Sequence, residues 1–326
     1  MSEPDLYPLL FEPVYKDYLW GGDRILSRYG RDMPPGIYAE SWEVSAHDDG
    51  MSVVQNGPLA GQELAAVAQA NGERLLGSRV AGRRFPLLMK LIDAQDRLSV
   101  QVHPDDASAV RLGGEPKTEL WYLLEADPRA AVFAGLAPGV GEARFREALA
   151  SKEVESLLCR VPVAAGEAVF LPGGRVHAID RGCLIFEVQQ SSNTTYRLHD
   201  WDRVGADGTP RELHIEQALS VIRWEDEDPV KPVRTPLLDG PPRGCELIYA
   251  SPYFRMERWP LEGRCRVEAM PESFRVLFCA EGTASLGWNG GEINLEPGTS
   301  CLVPAELGGF ELAPAGRVEL LLVTVP

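Results

Sequence analysis

Five histidines serve a chain of 326 residues, and two of them stand where strand alternation gathers polar side chains. In LSVQVH, residues 98–103, an extended backbone puts Val100 and Val102 on one face and Gln101 and His103 on the other. In PKTELWYLL the same alternation gives Lys117 and Glu119 a common face. His177 closes a third string, Gly166-EAVFL-Pro172 followed by Gly-Gly174-Arg-Val-His177. Taken singly, a strand histidine is usually structural and a Lys–Glu pair is usually an exposed ion pair. Their coincidence argues for a site. Two imidazoles and a carboxylate, with the Gln101 amide oxygen, suit Zn²⁺ or another divalent first-row metal, and an open coordination position would receive a substrate oxygen.

The elements that must hold these residues are mostly strands. Apolar, β-prone runs at 85–93, 98–103, 119–126, 167–172, 183–190 and 274–282 are bounded by turn residues. The chain holds 32 glycines and 26 prolines, a content that suits many short strands joined by tight turns. Helix patterns cover 62–76 and 141–158. A third helix is expected from Thr209, where Thr-Pro-Arg-Glu reads as a capping box with Pro210 at N1 and Glu212 at N3, followed by an apolar face at Ile215, Ala218, Leu219 and Ile222.

An internal repeat sets the architecture. Gly166-EAVFL-Pro172 and Gly298-TSCLV-Pro304 share a glycine, five residues and a proline, 132 positions apart. The first copy satisfies G-x5-P-x-G-x2-H, the second motif of the cupins. The second copy continues Pro304-Ala-Glu306, with no later histidine, so only one copy is equipped for a metal. The expected fold is mainly β: two tandem cupin-type jelly-roll barrels with a few helices packed on the first. The proline-rich stretch after Trp224 has no periodicity and reads as a linker. The expected division is a metal-binding domain over 1–228, a linker over 229–243 and a second barrel without metal ligands over 244–326.

Composition narrows the function classes. Hydrophobic residues make up 44% and charged residues 25%, enough for a real core. The 48 acidic against 32 basic residues give a net charge of -16, which repels nucleic acid and anionic membrane, so neither is an expected partner. The first residues lack the basic start and apolar run of a signal peptide, and no segment is apolar for long enough to span a membrane. Six scattered cysteines without a CxxC pair read as reduced, mostly buried thiols of a cytoplasmic protein. Dinucleotide, P-loop and serine-hydrolase motifs are missing.

Several strings in order, WGG (20–22), AESWEVS (39–45), FPLLMKLIDAQDRLSVQVHPDD (85–106), KTELWYLLEA (117–126) and HAIDRGCLIFEVQQSSNTTYRLHDWDR (177–203), resemble the zinc-dependent phosphomannose isomerases of the short bacterial type. The resemblance runs nearly end to end, with 274–304 similar to the family's C-terminal barrel. It implies one Zn²⁺ per chain on the positions of His103, Glu119 and His177, with Gln101 as fourth ligand. The implied reaction is the reversible conversion of mannose 6-phosphate to fructose 6-phosphate through a cis-enediol. Arg197 matches the family's active-site arginine, and Lys90 and Lys117 are the cations expected near a sugar-phosphate substrate. Relatives commonly carry Asp four residues before that arginine, where this chain has Asn193, and an amide cannot serve as a general base. The alternative is a cupin that binds a sugar phosphate without turning it over. Glu40 is a candidate supporting carboxylate, His47 a candidate for the site mouth, and His199 and His214 are expected to be structural. Trp20, Trp42, Trp121 and Trp201 are expected in the core, with a pocket wall as the alternative. The expected assembly is a monomer or homodimer.

Overall fold

The computed structural model describes residues 5–80, 84–205, 208–238 and 242–326. Its contacts fall into two units that are not consecutive in sequence: the chain up to Val14 groups with Trp42–Met89 and Val233–Pro326, and Tyr15–Ser41 groups with Lys90–Pro232. The linker expected at 229–243 therefore contains one of the crossings, although 239–241 lie outside the described residues. The N-terminal segments depart from the consecutive division, for a reason visible in the strands. Leu9–Glu12 continues the sheet of the C-terminal unit by pairing with Ser300–Val303, Leu9 opposite Leu302 and Leu10 opposite Cys301. A sheet edge left open there would expose unpaired backbone groups, and the N-terminal strand covers it.

The protein is mainly β. The C-terminal unit holds an eight-stranded sheet, in which Glu246–Ala250, Arg255–Leu261, Val318–Thr324, Arg275–Glu281 and Ser300–Val303 are successive neighbours, and a four-stranded sheet centred on Phe310–Pro314 and Ala284–Trp288. Both sheets send side chains into one core that includes Trp259, Leu277, Cys301, Phe310 and Leu320. The sheets are open rather than closed cylinders, so each jelly roll takes the form of a two-sheet sandwich.

In the other unit, Glu119–Ala126 lies between Ala168–Leu171 and Cys183–Gln190, and Leu87–Ala94 follows as the next strand. The opposing sheet orders Tyr196–His199, Val100–Val102, His177–Ile179, Ala131–Leu136 and Leu158–Pro162. Between the two sheets pack Trp121, Leu123, Val132, Val169, Ile179 and Ile185. Val100, Val102, Ala178 and Leu198 turn to the other face, where Phe145 and Ala148 of helix Glu142–Ser151 and Ala218 and Leu219 of helix Ile215–Val221 cover them. Those apolar residues are satisfied by helices. Their sequence neighbours Gln101, His177 and Arg197 therefore face the interior of the sandwich.

Three helix expectations need correction. The run over 62–76 is two helices, Leu64–Asn71 and Glu73–Leu76, split at Gly72, whose φ of 48° is a conformation only glycine adopts freely. They belong to the unit of the C-terminal sandwich, not to the first. The third helix starts at Ile215 rather than Pro210, with His214 at its N-cap and no capping side-chain bond. Tertiary partners take the proposed capping segment: Pro210 bridges to Val204, Arg211 holds Asp200 at 2.8 Å, and the His214 N–H donates to Arg197 O at 2.8 Å. A capping box does form elsewhere, between Asp105 and Ser108 at the start of Asp106–Leu112.

The repeat is reproduced atom for atom at its hinge. Gly166 and Gly298 both have φ of 83°. Gly166 N–H donates to Leu123 O at 2.7 Å and Leu123 N–H to Glu167 O at 2.9 Å; Gly298 and Cys279, and Cys279 and Thr299, repeat both bonds at the same lengths. In register, Leu171 lies opposite Glu119 and Val303 opposite Arg275.

Candidate active site

Strand pairing assembles the polar residues in rungs. Gln101 lies opposite His177 on one side and opposite Arg197 on the other. Glu119 enters from the facing sheet, opposite Leu171 and Gln189. The result is a group of donor atoms from His103, Glu119 and His177 that all lie within 4.8 Å of one another. All three side chains are buried.

Each imidazole is oriented by its far nitrogen. His103 Nδ1 is 2.9 Å from Thr194 O and His177 Nδ1 is 2.9 Å from Arg175 O, so in both rings the Nδ1–H donates to a carbonyl and leaves Nε2 unprotonated, with its lone pair turned to the site. His103 Nε2 then faces Glu119 Oε1 at 3.2 Å, and His177 Nε2 faces Oε2 at 3.7 Å. Lone pairs pointed at each other call for positive charge among them, and the Lys117 ammonium supplies part of it. Lys117 Nζ sits 2.6 Å from Glu119 Oε1 and 3.2 Å from His103 Nε2, yet neither Glu119 oxygen has a hydrogen bond of ordinary geometry. Burial, with Lys117 adding to it, pushes the His103 imidazole down to about 3, and burial also lowers His177. Burial works to raise the Glu119 acid, but Lys117 and His103 overcome it and hold it well below the usual carboxylate range. The donor set is two neutral imidazoles and an ionised carboxylate, the protonation states that a divalent metal needs. Gln101 turns its Nε2 to His177 Nε2 at 3.2 Å and its Oε1 to Ser99 Oγ at 3.4 Å. Ligation through Oε1 requires the amide to rotate by half a turn.

Beside these residues a cavity of about 340 Å³ opens, a size suited to a small metabolite. Lys90, Gln101, Lys117, Glu119 and Arg197 all line it, together with Asn193. Arg197 donates to Ser99 Oγ at 3.3 Å and Glu212 O at 3.0 Å. The pairing with Asp200 or Asp202 that would make it merely structural does not form; Asp200 is held by Arg203 and Arg211. Lys90 is buried, not a strand-end residue reaching for water, and lies 3.6 Å from both Glu40 and Glu187. Burial alone would lower its pKa, but Glu40, Glu187 and Glu119 outweigh it and hold the ammonium protonated.

Residues 9–130 match the catalytic domain of phosphomannose isomerase type I, and residues 246–325 match the mannose-6-phosphate isomerase cupin domain. The mannose-6-phosphate isomerase of Streptococcus mutans is 37% identical over 318 residues, covering 96% of this chain and 97% of that one. The chain belongs to the type I phosphomannose isomerase family. The crystal structure of the mannose 6-phosphate isomerase from Bacillus subtilis superposes with a TM-score of 0.88 at 30% identity, over 97% of this chain and 99% of that one. A mannose 6-phosphate isomerase solved with zinc and yttrium bound shares the fold, with a TM-score of 0.74 at 20% identity over 96% and 98% of the two chains. Within this phosphomannose isomerase chain, Lys90, Gln101, His103, Lys117 and Glu119 fall inside the catalytic-domain match, whereas His177 and Arg197 come from the stretch between the two matches.

Other candidates divide. Glu40, Trp20 and Trp121 line the cavity. Trp42 is core, and His47 packs on it at 6.1 Å between ring centres, away from the cavity wall. His199 stacks edge-on against Trp201 at 5.2 Å and does not reach the cavity. His214 does line it, with its Nδ1 accepting the Arg197 N–H at 3.3 Å. Glu187 is the residue that sequence reasoning missed. It accepts the Trp121 indole N–H at 2.8 Å, and burial followed by the Glu119 charge raises its acid to about 7. The signal was present in CLIFEVQQ, where alternation places Glu187 on the face of Cys183 and Ile185, both of which are core.

Proposed function

We propose that this chain is a zinc-dependent mannose-6-phosphate isomerase, with His103, Glu119 and His177 as protein ligands and Gln101 as the fourth. The observation that carries the reading is the buried pair of unprotonated Nε2 atoms gathered around an ionised Glu119. When bound, zinc supplies Lewis acidity toward the substrate's carbonyl and hydroxyl oxygens. The reaction moves a proton between C1 and C2 through a cis-enediol, and the chain's own residues position the sugar for it. Arg197, charged at any working pH, binds an anionic oxygen in the cavity. Lys90, kept protonated by Glu40 and Glu187, donates to hydroxyls and does not act as a base. Lys117 adds positive charge beside Glu119, so a sugar phosphate meets a cationic site on an acidic protein. Asn193 on the wall cannot take a proton, which leaves that step to another group.

The test is fructose 6-phosphate formation from mannose 6-phosphate, with chelator and after zinc is returned. Activity should vanish and recover with one metal equivalent per chain. His177→Ala should lose the bound zinc and at least about 100-fold in kcat/KM. Full turnover by verified metal-free protein would sink the proposal. Saturable binding of mannose 6-phosphate without product would favour the non-catalytic cupin instead.

A further inference from the structure

The second sandwich repeats the first without its metal ligands, and the register shows what replaced them. Leu171 opposite Glu119 corresponds to Val303 opposite Arg275, so Arg275 occupies the position of the candidate metal-ligating carboxylate. A carboxylate that gathers cations has become a guanidinium. Arg275 shares its strand face with Leu277 and Cys279, which are core, and is itself only 5% exposed. Among the described residues its one hydrogen bond is Nη2 to Glu268 O at 2.5 Å; the Phe310 ring lies 5.5 Å from the guanidinium carbon, and the charges of Glu272 and Glu257 act on it from beyond ion-pair distance. No carboxylate lies at ion-pair distance among the described residues. A buried cation with most of its donors unspent is costly unless something anionic meets it.

Space for such a group is present. A cavity of about 570 Å³ is lined by Arg275, Arg79, Arg255, Glu257, Trp259 and Thr324. Glu257 is already engaged by Arg255 Nε at 2.6 Å and the Trp259 indole N–H at 2.8 Å. Glu268 also borders the cavity, but its side chain is 78% exposed and lies 3.6 Å from Arg266. Arg79 donates only to Val325 O, at 3.3 Å, and Thr324, buried beside Arg275 in register, has no side-chain hydrogen bond among the described residues. Among the described side chains of this lining, Arg275 and Arg79 are therefore the cations without a carboxylate at ion-pair distance. We propose that this end of the C-terminal sandwich binds a small oxyanion, the phosphate or carboxylate group of a small metabolite, received by Arg275 with Arg79 and Thr324.

Calorimetric titration of the zinc-loaded full chain with inorganic phosphate, and separately with malonate, tests this. The Arg197→Gln background removes one cation from the catalytic cavity, and the equivalent that responds to Arg275→Gln is the one assigned to the C-terminal sandwich. One saturable equivalent should remain there, and adding Arg275→Gln should weaken it at least about tenfold. Arg79→Gln alters an exposed side chain, and should weaken binding in the same direction without disturbing the fold. With Arg197 intact, Arg275→Gln should turn over mannose 6-phosphate within about twofold of the unmodified chain, which separates this site from the catalytic one. Binding of phosphate alone assigns a phosphoryl ligand, and binding of malonate alone a carboxylate. Absence of saturable binding by both anions, or unchanged affinity in both arginine variants, overturns the proposal.

Discussion

Lys90 shows how a single side chain can be structural and functional at once. Its ammonium is the cation between Glu40 and Glu187, 3.6 Å from each, in the buried wall of the cavity. Removing one member of a buried ionic group leaves the others uncompensated, so Lys90→Met should cost roughly 3–5 kcal/mol in urea unfolding. The double variant Lys90→Met/Glu187→Gln should recover part of that loss, because a neutral amide no longer needs the cation. A Lys90→Met variant as stable as the parent would mean that the two carboxylates take up protons instead. From sequence Lys90 is expected only as a cation near the substrate, since no local pattern announces that two carboxylates distant in sequence will converge on it.

At the scale of elements, the strands were legible and the helix starts were not. Strand runs such as 119–126 and 183–190 are observed as Glu119–Ala126 and Cys183–Gln190, because aromatic and β-branched content acts locally. Thr209-Pro-Arg-Glu carries a good capping signal, yet Asp200, Val204 and Arg197 hold that segment out of the helix, and those partners outweigh a cap worth about 1 kcal/mol. Asp105 is the cap in use, accepting the Ser108 N–H at 2.8 Å. Asp105→Ala should therefore lower stability by about 1 kcal/mol, read from the shift in the urea midpoint. The two repeat hinges make a stronger claim. Gly166→Ala and Gly298→Ala must each adopt a φ of 83° and should each cost more than about 1 kcal/mol; a neutral result at both would mean that the turns rearrange.

For the whole molecule, the expectation of reduced, mostly buried thiols meets six free cysteines, of which Cys183, Cys245, Cys279 and Cys301 are buried and Cys159 and Cys265 half-buried. Burial pushes the thiols of Cys183, Cys245 and Cys279 up to about 12. At pH 8 a disulfide reagent should label no more than Cys159 and Cys265 in the native protein and all six after denaturation. Rapid labelling of Cys301 in native protein would contradict the packing of the C-terminal core. Among the described residues no helix is long and apolar enough to cross a membrane.

The sequence by itself determined the β class, the glycine–proline repeat and the residues that converge as His103, Glu119 and His177, because period-2 alternation and turn chemistry are written locally and because the family's strings are collinear. Only the tertiary structure decided the rest. It returned the N-terminal strand to the C-terminal sheet, kept 209–214 out of the helix, set Glu187 beside Lys90 and put Arg275 in the place of Glu119. Each of those outcomes depends on strand register and on partners far along the chain, and no local propensity encodes which distant residue will arrive opposite.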